Sequence, residues 1–286
     1  MHERMKISVI IPTYKPGNYI WQCLDSLVSQ TLPPDNYELI IVVNGCREPY
    51  FSQINEYVSQ RGNGVNIQLL QTDQSGVSNA RNMGLEAAQG QFVCFIDDDD
   101  WVSPTYLEFL SRECETDDTM VIANVKNYQE ETGEMMDDWL TACYEKNRNR
   151  KAPTLLSCRS YMSVTCCKMV PSKAMVGYRF NTRFRQGEDS LFFTQISHNL
   201  HHFRCAKPEA VYYRRIRLQS AARVRSPWNM IADNARLACA FMGIYIKAPL
   251  RYSFPFIATR VAACVKGTIS NIRRMRKLKA IAADRP

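Results

Sequence analysis

Apolar runs and polar breaks alternate at short spacing through the first hundred or so residues. Lys6–Pro12 carries Ile-Ser-Val-Ile-Ile and stops at a proline, the pattern of a short strand buried on both faces. Residues 18–30 place Ile20, Leu24, Leu27 and Val28 on one helical face, and Pro33-Pro34 ends that helix. Tyr37–Val43 is a second buried strand closed by Asn44-Gly45, residues 50–61 are helix-like, and Val65–Leu70 is a third strand. Ser78–Ala88 reads as a helix closed by Gly90, and Gln91–Ile96 as a fourth strand that runs straight into Asp97-Asp98-Asp99-Asp100. This alternation predicts an α/β fold, a doubly wound sheet. Ligands of such sheets sit beyond the carboxyl ends of the strands. Here those ends are Thr13-Tyr14-Lys15, Asn44-Gly45-Cys46 and the four aspartates.

The pattern changes after residue 222. Pro227–Ile246 is apolar and helix-like, Pro249 and Pro255 interrupt it, and from Phe256 the residues Ile257, Val261, Cys264, Val265, Thr268, Ile272 and Met275 recur at helical spacing. Lys266, Arg273, Arg274 and Lys277 fall on the other side, giving a basic amphipathic helix. The charge count isolates this region: residues 223–286 hold 13 Lys/Arg and 2 Asp/Glu, a net +11, whereas residues 1–222 hold 23 and 26, a net −3. The overall +8 therefore belongs to the tail, which excludes a whole-protein nucleic-acid surface and points to one local anionic partner. We divide the chain into residues 1–222, an α/β domain, and 223–286, a basic amphipathic helical tail. The tail either packs on the domain, pairs in a homodimer, or lies on an anionic membrane.

Composition narrows the class. With 45% hydrophobic and 22% charged residues the chain folds, and 12 Gly with 13 Pro exclude fibrous or linker-like types. Eleven cysteines, an odd number without CxxC spacing, do not form a secreted disulfide framework. The opening apolar run is too short for a signal peptide, and no stretch of about 20 apolar residues suggests a span. The expected setting is the cytoplasm, with peripheral attachment to the inner face of the cell membrane if the tail binds lipid.

Four adjacent carboxylates at one strand end repel each other. A solvated acidic turn would tolerate this, but Phe92, Val93, Phe95 and Ile96 precede the cluster and Trp101-Val102 follow it. A divalent cation would relieve the repulsion, and Mg²⁺ or Mn²⁺ favours carboxylate oxygens shared with substrate phosphates.

Ile10-Ile-Pro-Thr-Tyr14, Ile40-Ile-Val-Val-Asn-Gly45, Gly76-Val-Ser-Asn-Ala-Arg-Asn-Met-Gly84, Phe95-Ile-Asp-Asp-Asp-Asp100 and Gly187-Glu-Asp189 occur in that order. The ordered set resembles the family 2 glycosyltransferases, inverting enzymes of the GT-A fold that use nucleotide-sugar donors, from about Lys6 to Tyr213. The resemblance implies a Rossmann-like mixed sheet and transfer of a sugar to a saccharide or lipid-linked acceptor of a cell-surface glycan. It implies that Pro12, Thr13 and Tyr14 form the nucleoside loop, with Tyr14 near the base, and that Arg81 contacts the donor nucleotide. Asp97 and Asp99 match the D-x-D motif, whose later carboxylate ligates the metal, with Asp98 between them on the donor side. Asp189 matches the base that deprotonates the acceptor hydroxyl, and Glu188 is its neighbour. The chemistry is coherent: an inverting transfer needs one acceptor-side base and neutralisation of the leaving diphosphate. Glu188-Asp189 would also serve as acids at a helix N-terminus.

Asn44 stands where the family usually has an acidic residue. Its amide still suits uracil, so UDP is the expected nucleotide, with dTDP and GDP open; Asn44-Gly45 as a plain turn is the alternative. Arg214, Arg215 and Ser220 resemble a late phosphate-contacting segment, though the usual histidine is replaced in the Ile216-Arg217 region. His198, His201 and His202 read as a solvated helix end rather than a metal cluster, and Cys166-Cys167 as two buried cysteines in a strand-like stretch. A nucleotidyltransferase would show a Gly-rich basic loop after its first strand, which Pro12-Thr-Tyr-Lys-Pro-Gly17 is not. A catalytically inactive binding module is the other alternative.

Overall fold

The computed structural model describes residues 6–114, 116–217 and 227–283. Ser220 and the side chains of Arg274, Met275 and Lys277 lie outside the described residues, as does the boundary at 222.

The first half alternates as expected: β1 (Ile7–Thr13), α1 (Tyr19–Val28), β2 (Tyr37–Asn44), α2 (Tyr50–Arg61), β3 (Asn66–Thr72), α3 (Val77–Ala87) and β4 (Phe92–Phe95). Every residue of β1, β2 and β4 is buried, which explains their mostly apolar runs. There follow β5 (Trp101–Val102), α4 (Tyr106–Arg112), β6 (Thr119–Ile122), β7 (Asn124–Gln129), β8 (Met135–Asp137), α5 (Trp139–Arg148), β9 (Lys168–Pro171), α6 (Ser172–Met175), α7 (Glu188–Ile196), β10 (His202–Cys205) and β11 (Val211–Ile216). Two long helices close the described chain, α8 (Pro227–Lys247) and α9 (Phe254–Ala283).

The main sheet has the order β10-β6-β9-β4-β1-β2-β3. β1 pairs in parallel with β2 on one side and β4 on the other, so the chain reverses its direction of growth between β1 and β4. That switch point brings Thr13 and the four aspartates together. β9 enters antiparallel between β4 and β6, making the sheet mixed. A second sheet, β5-β11-β7-β8, stands beyond the aspartates, with β11 antiparallel to β5 and parallel to β7. α3 lies close on β1 because Gly84 carries no side chain: a Cβ there would come within 2.4 Å of Ile10 Cγ2.

Two readings of the tail change. Pro255 does not interrupt a helix but sits in the first turn of α9, where its missing N–H costs no intrahelical bond. The apolar positions of α9 also divide. Ile257 and Cys264 are buried in a small second core with Leu191 of α7 and Leu237 and Phe241 of α8, while Val265 and Ile272 are exposed. Arg260 is buried, and its guanidinium donates to Ser163 Oγ, Ser190 Oγ and the Arg159 carbonyl. Among the described residues no helix is long and apolar enough to cross a membrane.

Candidate active site

The site gathers at the carboxyl ends of β1, β2 and β4, at the N-terminus of α7 and at the end of β11. Thr13 is buried and its hydroxyl donates to Asp98 Oδ2 at 2.7 Å. Tyr14, one residue on, is 51% exposed at the mouth, whereas Pro12 is buried within β1 opposite Val42. Asn44 is buried: its Nδ2 donates to the Thr13 carbonyl at 2.7 Å and its Oδ1 accepts from Gly76 N at 2.9 Å. Both ends of the amide thus tie the β1 loop to the start of α3. The expectation that Asn44 faces a nucleobase meets a side chain already committed to backbone.

Arg81, the expected donor-nucleotide contact, lies among carboxylates. It is 5% exposed, with Nη1 2.6 Å from Asp189 Oδ1 and 3.7 Å from Glu188 Oε1, and Nη2 3.4 Å from Asp97 Oδ1. Its guanidinium carbon lies 5.5 Å from the Phe180 ring centroid. Burial works against its charge, but Asp189 and Asp97 outweigh that and hold the guanidinium more firmly protonated than usual. One cation therefore joins the expected acceptor-side carboxylates to the first aspartate of the cluster. Glu188 is pushed above the ordinary range by burial and by Asp189 beside it. Glu188 and Asp189 occupy the first turn of α7, as expected, after Gly187 in a left-handed conformation (φ 77°). A Cβ at Gly187 would lie 2.4 Å from Leu237 Cδ2, so this turn is pressed directly against α8.

Each aspartate has its own partners. Asp97 accepts from Cys166 Sγ at 3.0 Å as well as from Arg81, and its backbone N–H donates to Tyr212 Oη at 3.1 Å. Asp98 is pushed up to about 7 by burial and the neighbouring Asp99 and Asp97, against the pull of the Thr13 hydrogen bond. Asp99 is raised by burial and by Asp97, although it pairs with the Arg217 guanidinium. Arg217 also lies 4.4 Å from the Tyr19 ring centroid. Asp100 is buried, accepts from Arg215 N at 2.8 Å, and is raised by burial and Asp99. Arg215 Nε donates to the Asp99 carbonyl at 2.9 Å, and Arg214 pairs with Asp138 at 3.0 Å.

Burial and mutual repulsion hold Asp98, Asp99 and Asp100 above their ordinary range, the signature of a carboxylate group short of positive charge. The donors are hard oxygens. No three ligands converge among the described residues. The set therefore fits Mn²⁺ or Mg²⁺ held by one or two carboxylates and completed by diphosphate oxygens and water, not a closed protein cage. The histidines do not converge either. His198 Nδ1 lies 2.9 Å from the Gln195 carbonyl and its ring is 4.9 Å from that of Tyr252, while His202 is 3.9 Å from Asp118. Cys166 and Cys167 are buried just ahead of β9 rather than within it.

Sequence reasoning did not foresee Cys166 at the cluster, or Arg81 between the carboxylates. Arg81 and Asp189 are 108 positions apart, and only the tertiary fold brings them together.

The glycosyl transferase family 2 model matches residues 8–173. The putative glycosyltransferase EpsH of Bacillus subtilis is 34% identical over 143 residues, 50% of this chain and 40% of that protein. The poly(ribitol-phosphate) beta-glucosyltransferase of Bacillus spizizenii is 37% identical over 120 residues, 41% of this chain and 19% of its own. The chain spans less than half the length of these curated relatives. Among solved structures, S. aureus TarS 1–349 in complex with UDP-GlcNAc superposes with a TM-score of 0.71 at 22% identity, covering 93% of this chain and 73% of that one. The mannosyltransferase PcManGT from Pyrobaculum calidifontis, in complex with GDP-Man and Mn²⁺, gives 0.58 at 15% identity over 100% of this chain and 82% of its own. The mixed sheet, its switch point and these likenesses together place the chain, with its GT-A fold, in glycosyl transferase family 2.

Proposed function

We propose that this protein is an inverting glycosyltransferase that moves a sugar from a nucleoside diphosphate donor to a hydroxyl of a growing cell-surface glycan or lipid-linked saccharide. The observation that carries the reading is the Asp97–Arg81–Asp189 bridge, which sets a donor-side carboxylate group and an acceptor-side base on either side of one buried cation. UDP is the favoured nucleotide, in keeping with the UDP-GlcNAc bound by TarS. Tyr14, exposed at the mouth, offers its ring face to the base. Asn44 acts behind it by fixing the Thr13 carbonyl and Gly76.

Asp189 accepts the acceptor proton as the hydroxyl attacks the anomeric carbon from the face opposite the diphosphate. No covalent enzyme intermediate is required, and the stereochemistry inverts. Arg81 donates to Asp189 Oδ1 and so orients the carboxylate that takes the proton. Asp99, with Asp97, would hold a divalent cation, which when bound neutralises charge on the departing phosphate oxygens. We place the reaction at the cytoplasmic face of the cell membrane.

Incubation with UDP-, dTDP- and GDP-sugars in turn, with and without Mn²⁺, tests the reading by the nucleotide released in slow donor hydrolysis. Metal-dependent release of UDP from one UDP-sugar is the expected result. Release from none of the panel, with no donor binding in calorimetry, would overturn it.

A further inference from the structure

α9 presents two different faces. Ile257, Arg260, Cys264 and Asn271 are buried and face the rest of the molecule. On another face Phe254 is 55% exposed, Val265 53% and Ile269 45%. These three line an open groove of about 880 Å³ whose far wall includes Met242 of α8, and Lys266 and Arg273 border the same groove. At the α8–α9 turn Ile246 and Leu250 are exposed beside Lys247 and Arg251. Large apolar side chains held in water next to cations call for a partner that is apolar and anionic at once.

The charge count chooses among occupants. Lys247, Arg251, Lys266 and Arg273 all border this face, within a tail of net +11, so two copies facing each other through it would oppose like charges. A bilayer containing anionic lipid takes the apolar side chains into its acyl boundary and attracts the flanking lysines and arginines. α9 spans 30 residues, about 45 Å at 1.5 Å per residue, long enough to lie along such a surface and not apolar enough to cross it. The other side of this helix pair reaches the site: Leu237 of α8 abuts Gly187, next to Glu188 and Asp189.

We propose that the exposed α8–α9 face is a docking surface for an anionic lipid bilayer, which sets the Asp189 side of the site near a membrane-borne acceptor. The docking stands on the face itself; only the acceptor clause rests on the glycosyl-transfer reading, and the test measures docking without turnover. The full chain is floated with vesicles of equal parts phosphatidylglycerol and phosphatidylcholine and, separately, of phosphatidylcholine alone. Binding is expected to the first and not the second, and to fall as salt rises and the screening length drops from ~10 Å at 0.1 M to ~3 Å at 1 M. Val265→Glu with Ile269→Glu, both exposed, should weaken it at least ~10-fold, since each puts a charge where the apolar contact forms. Lys266→Gln with Arg273→Gln is the second variant, which keeps the apolar groove and should also lower binding. Equal flotation of both double variants with the parent overturns the proposal, as does equal binding to neutral vesicles. A concentration-dependent dimer in light scattering that Val265→Glu with Ile269→Glu makes monomeric, with no vesicle binding by the parent, overturns it in favour of a second copy.

Discussion

Gly187→Ala perturbs the point where the tail meets the candidate base. The φ of 77° costs an L-residue about 1–2 kcal/mol. The new Cβ would lie 2.4 Å from Leu237 Cδ2, and overpacking of this kind adds about 1–3 kcal/mol. The substitution should therefore destabilise the fold by about 2–5 kcal/mol, the sum of those two ranges. Leu237→Ala removes the obstructing atoms, and alone it should cost about 2–5 kcal/mol as a buried leucine truncation. In the double variant the overpacking vanishes and only the backbone cost of Gly187→Ala remains, so the two losses should fall short of additivity by about 1–3 kcal/mol. Urea titrations of the four proteins at constant m-value measure this. Single-turnover transfer provides a second reading. A forced shift at Gly187 moves Asp189, and misplacement on the order of 1 Å costs about 10²-fold. The rate should drop in Gly187→Ala and recover partly in the double variant. Strict additivity, or a Gly187→Ala loss below about 0.5 kcal/mol, would refute this account of how the turn is packed.

Asp189→Asn should lower transfer by at least ~10²-fold, as loss of a general base does; near-parental transfer would move the role to Glu188. Asp99→Asn should weaken Mn²⁺ binding in calorimetry, whereas Arg217→Ala should tighten it, because Arg217 is the counter-ion the metal must displace; opposite signs would show that Asp99 is not the ligand. Asn44→Ala orphans the Thr13 carbonyl and Gly76 N–H at a cost of about 1–3 kcal/mol for each buried group. Thermal melting should register it, while the preference among UDP, dTDP and GDP should stay as in the parent; a changed preference would return Asn44 to base recognition.

The half of the fold that was legible owes this to burial. β1, β2 and β4 are covered on both faces, so their sequences are mostly apolar runs; Asn44-Gly45 marks the end of β2 and Asp97 follows that of β4, while β1 runs one residue past Pro12 to Thr13. β6, β9 and β10 are four residues each, too short to show a period. β9 takes its place between β4 and β6 through pairing with residues some fifty to eighty positions away. The site was legible as residue types and order, not as contacts. Nothing local to Arg81 reveals that it lies between Asp97 and Asp189, and nothing local to Asn44 reveals that both ends of its amide are engaged. Nothing local to Arg260 reveals its burial either: its hydrogen-bond partners are more than sixty residues earlier.

Arg260 also bears on how such chains can be recombined. Its guanidinium is satisfied by Ser163, Ser190 and the Arg159 carbonyl, while Leu191 supplies apolar cover between the two helices. A tail grafted onto another catalytic core would bring a buried cation needing acceptors at three positions, and a core shorn of its tail would leave Leu191 uncovered. A chimera that exchanges residues 223–286 alone is therefore mismatched on both sides. One that carries the segment from Arg159 to Leu191 together with the tail keeps the acceptors, the apolar cover and the candidate base in a single transferable unit.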